Sequence, residues 1–289
     1  MKHVIPAVII VILLGSIAAS AARAPVTFIT FGDWGTGTNS QKEVAQSATR
    51  YCRNNSCEFV VALGDNFYEN GVKSVHDPKW KNYYKDIYAA LNLPFYAVIG
   101  NHDERNNVDA QIDYSKIDPS WHMPGRFYSA RFPNDTATPT IEIFVINNGD
   151  HQLESAEQKW LSQALAKSRA RWKILAMHIP IISNGPHGDD SADINDNLIP
   201  VICGKVDVVL AGHDHAFAHL RGPWKNCAID QLVVGTGGKH LYSVNEKDPR
   251  VLSTGSFFGF GWFEATDKKL VFRMIKEDGS VYYTTEWKK

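Results

Sequence analysis

The sequence predicts an α/β protein in which helices cover a mostly parallel sheet and further strands follow. Short apolar stretches alternate with amphipathic ones from Val26 to about residue 210, as in repeated β-α-β units. Beyond that point the sequence favours short strands with Gly-rich turns, and these strands suggest a second sheet. Gly235 to Gly238 is expected to form a hairpin turn, with lining of the site as the alternative. No linker, low-complexity segment or fixed-period repeat interrupts residues 22–289, so we expect one domain.

The elements are read from periodicity and from their boundaries. Two helices carry clear start signals: Ser40 and Glu43 form a capping box, and Asp77 precedes Pro78 as an N-cap. The predicted strands are Val26–Phe31, Phe59–Leu63, Phe95–Ile99, Ile141–Ile146, Lys173–Met177 and Val206–Leu210. The predicted helices are Ser40–Arg53, Pro78–Leu91, Leu153–Lys167 and Ala192–Ile202.

The N-terminus predicts export. An apolar stretch from Val4 to Leu14 follows the basic Lys2, and small residues continue to Ala22. This pattern indicates a cleaved signal peptide over residues 1–21, with an uncleaved anchor as the alternative. No later stretch could span a bilayer, so we expect no stable membrane insertion after cleavage. The protein is therefore expected to be secreted, periplasmic, or in a lysosome-like endomembrane lumen.

Charge and cysteines refine the expected partners and compartment. The formal net charge of −1 indicates neither a nucleic-acid partner nor an anionic membrane surface. Four cysteines allow three connectivities, and an oxidising compartment favours disulfides over metal thiolates. Local spacing favours Cys52–Cys57, which closes a short loop, and Cys203–Cys227, which flank a strand pair.

Metal-capable side chains follow five of the predicted strands, usually directly after a glycine. Sites in open α/β sheets form at the carboxyl ends of strands, so these side chains are expected to converge; turn and capping chemistry is the alternative. The blocks are Gly32-Asp33-Trp34-Gly35, Gly64-Asp65-Asn66-Phe67-Tyr68, Gly100-Asn101-His102-Asp103, His178-Ile179-Pro180 and Gly212-His213-Asp214-His215.

The donor types select the kind of metal site. Two carboxylates, one amide, three imidazoles and one phenol are too many for a single tetrahedral zinc, and no thiolate is among them. They suit two ions about 3.5–4 Å apart that share a carboxylate. A phenolate is a hard anionic ligand and favours Fe(III), although Tyr68 could instead be an ordinary core tyrosine.

In this order the five blocks resemble those of the purple acid phosphatases, within the calcineurin-like metallophosphoesterase superfamily, and in particular the short tartrate-resistant type. The specific mark is Gly64-Asp65-Asn66-Phe67-Tyr68, because the tyrosine separates purple acid phosphatases from most of the superfamily. The resemblance runs from Val26 to near the C-terminus. It implies an α/β/β/α sandwich of two mixed sheets flanked by helices, with the site at one edge.

The resemblance also implies roles for individual residues. Fe(III) would be held by Asp33, Asp65, Tyr68 and His215, and a divalent Fe, Zn or Mn ion by Asp65, Asn101, His178 and His213. His102 and His187 would contact substrate and assist the leaving group, although His102 could be an orienting residue and His187 a surface histidine. Pro186 stands where mammalian members carry Glu, which puts the pH optimum in question.

The implied function is an acid phosphatase that hydrolyses phosphate monoesters through metal-bound hydroxide. Small phosphate monoesters and phosphoproteins are the expected substrates of a monomeric enzyme. The short stretch between Ile146 and Leu153 implies no proteolytic activation, because mammalian members carry a long restraining loop there. The alternatives are a Mn-dependent phosphodiesterase or nucleotide pyrophosphatase of the same superfamily, and a non-catalytic binding protein on this fold.

Overall fold

The computed structural model describes residues 23–224 and 227–289, so the predicted signal peptide lies outside the described residues. The strands are β1 (Val26–Phe31), β2 (Phe59–Ala62), β3 (Phe95–Ala97), β4 (Trp121–His122), β5 (Tyr128–Phe132), β6 (Ile141–Val145), β7 (Trp172–Ala176), β8 (Val208–Ala211), β9 (Phe217–Trp224), β10 (Cys227–Val234), β11 (Val251–Gly255), β12 (Gly259–Ala265), β13 (Lys269–Lys276) and β14 (Val281–Lys288).

Along the chain, the helices lie mainly in the connections between successive parallel strands. They are α1 (Asn39–Asn55), a π-helix (Trp80–Lys85) that continues into α2 (Asp86–Tyr88), α3 (Asn101–Glu104), α4 (Val108–Tyr114), α5 (Ser155–Lys167) and α6 (Ala192–Ile202). No helix in the described ranges combines the length and apolarity needed to cross a bilayer.

Within the described residues the strands form two seven-stranded mixed sheets. The first has the order β14-β13-β12-β1-β2-β3-β4, and the second β11-β9-β10-β8-β7-β6-β5. Neighbours among β1 to β4 are parallel, as are β6-β7-β8-β10, whereas β12 pairs antiparallel with β1. The α/β/β/α sandwich is therefore confirmed. The expectation of one parallel sheet followed by a separate C-terminal sheet is wrong, since the parallel strands are divided between both sheets and the C-terminal strands extend both.

The core has three layers that match this sandwich. Phe28 and Phe59 stack at 5.0 Å, and Phe28 stacks on Phe263 at 4.6 Å, within the cluster that also holds side chains of the second sheet. Separate clusters join α1 to the first sheet and α5 and α6 to the second. Because both faces of each sheet are covered, its central strands are continuous apolar stretches.

Two helix predictions need correction. Helix α1 begins after Thr38, whose side chain accepts a hydrogen bond from the Gln41 amide, so the expected Ser40 capping box does not start it. The predicted helix Pro78–Leu91 winds as a π-helix over much of its length. Its aromatic residues are buried, and Trp80 stacks on Tyr114 at 3.6 Å, so tertiary packing of large rings overrides regular α-helical winding here.

Both predicted disulfides are confirmed. Cys52 and Cys57 lie at the end of α1 and just beyond it, with their Cα atoms 5.3 Å apart. Cys203 caps α6 and bonds Cys227 at the start of β10, with a Cα separation of 5.8 Å. Each disulfide therefore fixes the end of a helix to a nearby part of the chain. Disulfides are typical of proteins from oxidising compartments.

Candidate metal centre

The carboxyl ends of β1, β2 and β3 meet those of β7 and β8 at one edge of the sandwich, and the predicted ligands follow these ends. Three of these residues adopt left-handed backbone conformations, with φ of 59° at Asp33, 51° at Asp65 and 68° at His213. Such conformations are costly for residues other than glycine and cluster at functional sites. The turns therefore hold these side chains in place at an energetic cost.

Glycines before the ligands allow the loops to approach one another closely. A Cβ atom at Gly64 would lie 2.5 Å from Nδ1 of His178, and one at Gly100 would lie 2.1 Å from the backbone nitrogen of Asp65. Gly64 also has a φ of 86°. The sequence pattern of glycine before ligand thus reflects packing between loops from both sheets.

Three predicted Fe(III) ligands form one contiguous group. The Tyr68 hydroxyl donates to Asp33 Oδ1 at 3.1 Å and lies 3.2 Å from His215 Nε2. Asp33 Oδ1 and His215 Nε2 are 3.4 Å apart. Tyr68 is buried, but its hydroxyl points into this polar group, so the tyrosine is more than a core-filling ring.

The predicted divalent-ion ligands form a second group beside the first. Asn101 Oδ1 lies 3.1 Å from both His178 Nε2 and His213 Nδ1, and His178 Nε2 lies 3.4 Å from Asp65 Oδ1. Donor atoms of Asp33, Asp65 and His178 all lie within 4.8 Å of one another, an arrangement able to hold a metal ion. Asp65 therefore lies between the two groups, where a shared carboxylate is expected.

Backbone carbonyls orient two of the imidazoles. The Nδ1 of His178 lies 2.7 Å from the carbonyl oxygen of Leu63, and the Nδ1 of His215 lies 2.7 Å from that of His240. Donation of Nδ1–H to these oxygens leaves Nε2 of each ring with its lone pair toward the cluster. This is the usual arrangement of a metal-binding histidine.

The electrostatics of the cluster also suit a cation. Burial, followed by the charges of Asp33 and Asp65, raises the pKa of Tyr68 well above its usual value. Burial alone would raise the pKa of Asp33, but the hydrogen bond and charge of His215 hold it below its usual range. Burial and the neighbouring His178 lower the pKa of His213 to about 2. The donors therefore include the Asp33 carboxylate and the neutral imidazole of His213. Ionisation of Tyr68 would require a nearby cation to offset these negative charges.

Both predicted catalytic histidines border this cluster. The backbone amide of His102 donates to Asp65 Oδ1 at 2.9 Å, and its ring lies 4.5 Å from that of Tyr68. The ring of His187 lies 4.2 Å from that of His213, and 41% of its side chain is exposed. The structure thus brings together all nine predicted site residues.

Sequence reasoning missed the partner of His187. The buried Asp214 accepts a hydrogen bond from His187 Nδ1 at 2.8 Å and another from the Ser183 hydroxyl. A carboxylate therefore contacts His187 although Pro186 replaces the adjacent Glu. The sequence does contain an indication of Asp214, since it is an acidic residue between two predicted ligands in Gly212-His213-Asp214-His215. Its contact with His187 could not be predicted, because the two residues are far apart in the sequence.

The loop after β10 also belongs to the site, and the predicted hairpin turn at Gly235 to Gly238 is wrong. A Cβ atom at Gly235 would lie 2.8 Å from Asp33 Oδ2, so the loop packs directly on the cluster. Farther along, Lys239 Nζ lies 4.3 Å from the centroid of the Tyr68 ring and forms an ion pair with Glu69. A cavity of about 330 Å³ borders these residues and is lined also by Thr36, Thr38, Tyr83, Gly238 and His240.

Comparisons with known proteins agree with this arrangement. Residues 26–217 match the calcineurin-like phosphoesterase family. Human tartrate-resistant acid phosphatase type 5 is 27% identical over 95% of this chain and 94% of its own length. Purple acid phosphatase 17 of Arabidopsis thaliana is 31% identical over 86% of this chain and 80% of its own length.

Solved structures show the same fold. One described as "GAP50 the anchor in the inner membrane complex of Plasmodium" has a TM-score of 0.80 and 26% identity, with 92% of this chain and 89% of that chain covered. The purple acid phosphatase PPD1 of yellow lupin has a TM-score of 0.72 and 15% identity, with 92% of this chain and 54% of that chain covered.

Proposed function

The chain belongs to the calcineurin-like phosphoesterase family and is a metal-dependent phosphoester hydrolase of the acid phosphatase type; from this premise we propose that it hydrolyses phosphate monoesters at a dinuclear Fe(III)–M(II) centre. The observation that carries the proposal is the Tyr68 hydroxyl, buried and within 3.1 Å of Asp33 and 3.2 Å of His215. A phenol in such surroundings favours a trivalent hard cation.

The donor set fits two cations. Asp33, Tyr68 and His215 would hold Fe(III), Asp65 would bridge, and the divalent Fe, Zn or Mn ion would be held by Asn101, His178 and His213. Together the ions would supply a nucleophile derived from water at acid pH and positive charge for the phosphoryl oxygens.

The remaining residues position the substrate and move a proton. His102 and His187 stand on either side of the cluster, where a phosphate ester on the cluster would come within their reach. Asp214 orients His187 through Nδ1, which leaves Nε2 as the nitrogen that can donate to the departing alkoxide. The cavity beside Tyr68 and Lys239 would admit a substrate to the cluster, and its volume of about 330 Å³ suits small esters.

Two further expectations remain part of the proposal. The two disulfides support an exported enzyme in a secreted, periplasmic or lysosome-like compartment. Substrates would be small phosphate monoesters and phosphoproteins, hydrolysed by a monomer.

A hydrolysis experiment separates the candidate functions. The purified protein should cleave 4-nitrophenyl phosphate faster than bis(4-nitrophenyl) phosphate, and chelation of the metals should abolish both activities. Asp33→Asn should lose activity, whereas Asp113→Asn, a matched change at an exposed surface carboxylate, should not. Preference for the diester would favour the phosphodiesterase alternative.

A non-catalytic role is the second candidate, because the structure described as an anchor in Plasmodium shares this fold at a TM-score of 0.80. Retention of every predicted ligand around Asp65 favours catalysis. A protein that binds two metal ions and hydrolyses neither ester would instead support the binding role.

A further inference from the structure

A basic groove lies at the end of the molecule opposite the metal centre. Its volume is about 990 Å³, and its lining includes Asp267 and six cationic residues: Arg23, Arg169, Arg171, Lys173, Lys268 and Lys289. The whole sequence has a formal net charge of only −1, so this concentration of positive charge is local. Clustered charge of one sign attracts a counter-charged ligand even when the net charge is close to zero.

Most of these positive charges lack a carboxylate partner. Lys289 pairs with Asp207 at 2.7 Å, but within residues 23–224 and 227–289 no acidic side chain lies within ion-pair distance of the other five. Arg171 donates through Nε to the backbone carbonyl of Asp267 at 2.6 Å, which fixes its stem and leaves its terminal nitrogens for a ligand. Arg169 and Lys268 are exposed. The Arg23 guanidinium donates to the Thr138 carbonyl oxygen and to the hydroxyls of Thr136 and Thr138, which are uncharged acceptors. Most of the positive charge in the groove is therefore not neutralised by a carboxylate of the described residues.

The position of the groove separates it from catalysis. Strand β1 starts at Val26, close to Arg23, and ends at Phe31, just before Asp33. Six strand residues span about 20 Å, so a surface bound at the groove would leave the metal centre facing away from it.

We propose that this groove docks the protein on anionic phospholipid headgroups. Guanidinium and ammonium groups recognise phosphate, and each basic residue near an anionic surface adds to the attraction. The sequence favours a lipid surface as the occupant, because Arg23 directly follows residues 4–22, which are mostly apolar and contain no charged side chain. Before the signal peptide is cleaved, or in the uncleaved-anchor alternative, a bilayer that holds this segment lies next to Arg23 and so next to the groove.

Vesicle binding tests the proposal. Co-sedimentation of the purified, metal-loaded protein is compared for phosphatidylcholine vesicles with and without phosphatidylserine, so that any contribution of the apolar segment cancels. We expect the wild type to bind the phosphatidylserine vesicles at least about tenfold more tightly, and added salt to weaken this preference. Arg169→Glu/Lys268→Glu should remove it.

A matched control has the same change in net charge elsewhere. Arg50 and Lys159 are exposed on α1 and α5, so Arg50→Glu/Lys159→Glu should keep the preference for phosphatidylserine. Both double variants should unfold at close to the wild-type Tm, which shows that they fold and keeps this test independent of the proposed function.

Three results would overturn the lipid assignment. The first is wild-type binding by the groove variant, and the second is an equal loss in the control. The third is that the wild type prefers neither vesicle type, while inositol hexakisphosphate raises the Tm of the wild type but not of the groove variant. That result would assign the groove to a soluble phosphate ligand.

Discussion

The proposed leaving-group role of His187 yields a quantitative prediction. Its Nδ1 lies 2.8 Å from Asp214 Oδ1 and its ring lies 4.2 Å from that of His213, so Nε2 is the proton donor available at the edge of the cluster. A general acid contributes roughly 10²–10⁴-fold when the leaving group is a strong base. His187→Ala should therefore lower kcat/KM for an alkyl phosphate by about that factor, whereas 4-nitrophenyl phosphate, whose leaving group needs no proton, should lose much less.

Asp214→Asn tests the same reasoning through the partner. The change keeps an acceptor oxygen but removes the charge from a hydrogen bond, and charge-assisted bonds are worth about 1.5–3 kcal/mol. That energy corresponds to roughly a 10- to 150-fold loss for the alkyl ester. His76→Ala, at an exposed position, is the matched control. The assay is kcat/KM for both esters in each variant, and equal fractional losses for both esters in His187→Ala would refute the acid role.

Three other changes have defined outcomes. Asp65→Asn should weaken retention of both metal ions, whereas Asn101→Ala should mainly empty the divalent site. A metal analysis that finds both ions fully retained in Asp65→Asn would contradict the proposed bridging role of Asp65. Burial raises the pKa of Glu157 to about 8, so stability should fall as pH rises from about 4.5 through 8, and Glu157→Gln should flatten the Tm profile over that window. Replacing Cys203 and Cys227 by Ala should lower the free energy of unfolding by about 3 kcal/mol in denaturant titrations.

Local signals predicted much of this structure. Strand β1 has the predicted bounds because its residues are buried on both faces, and α6 also begins and ends where predicted. The seven predicted metal ligands were expected to converge because they follow strand ends, and the ends of parallel strands share an edge. His102 and His187 were predicted only from the family resemblance. The start of α1 was predicted less accurately, because Thr38 and Ser40 are both good N-cap residues. In the structure Thr38 is the N-cap, and its side chain accepts a hydrogen bond from the backbone amide of Gln41.

Nonlocal features were beyond such reasoning. The division of parallel strands between two sheets depends on pairings such as β10 with β8, which no periodicity reveals. The contact of His187 with Asp214 joins residues 27 positions apart. The net charge likewise did not indicate the basic groove, because it sums over the whole chain. The sequence did not indicate it either, because Arg23, Arg169 and Lys268 are distant in sequence and come together only in the fold.

The most direct test of the central claim is metal analysis of the purified, oxidised protein combined with its visible absorption spectrum. The proposed centre predicts two equivalents of metal, at least one of them iron, and a purple or pink charge-transfer band from Tyr68 that Tyr68→Phe abolishes while the fold persists. A colourless wild type that contains two equivalents of metal and no iron would contradict the Fe(III)–phenolate centre.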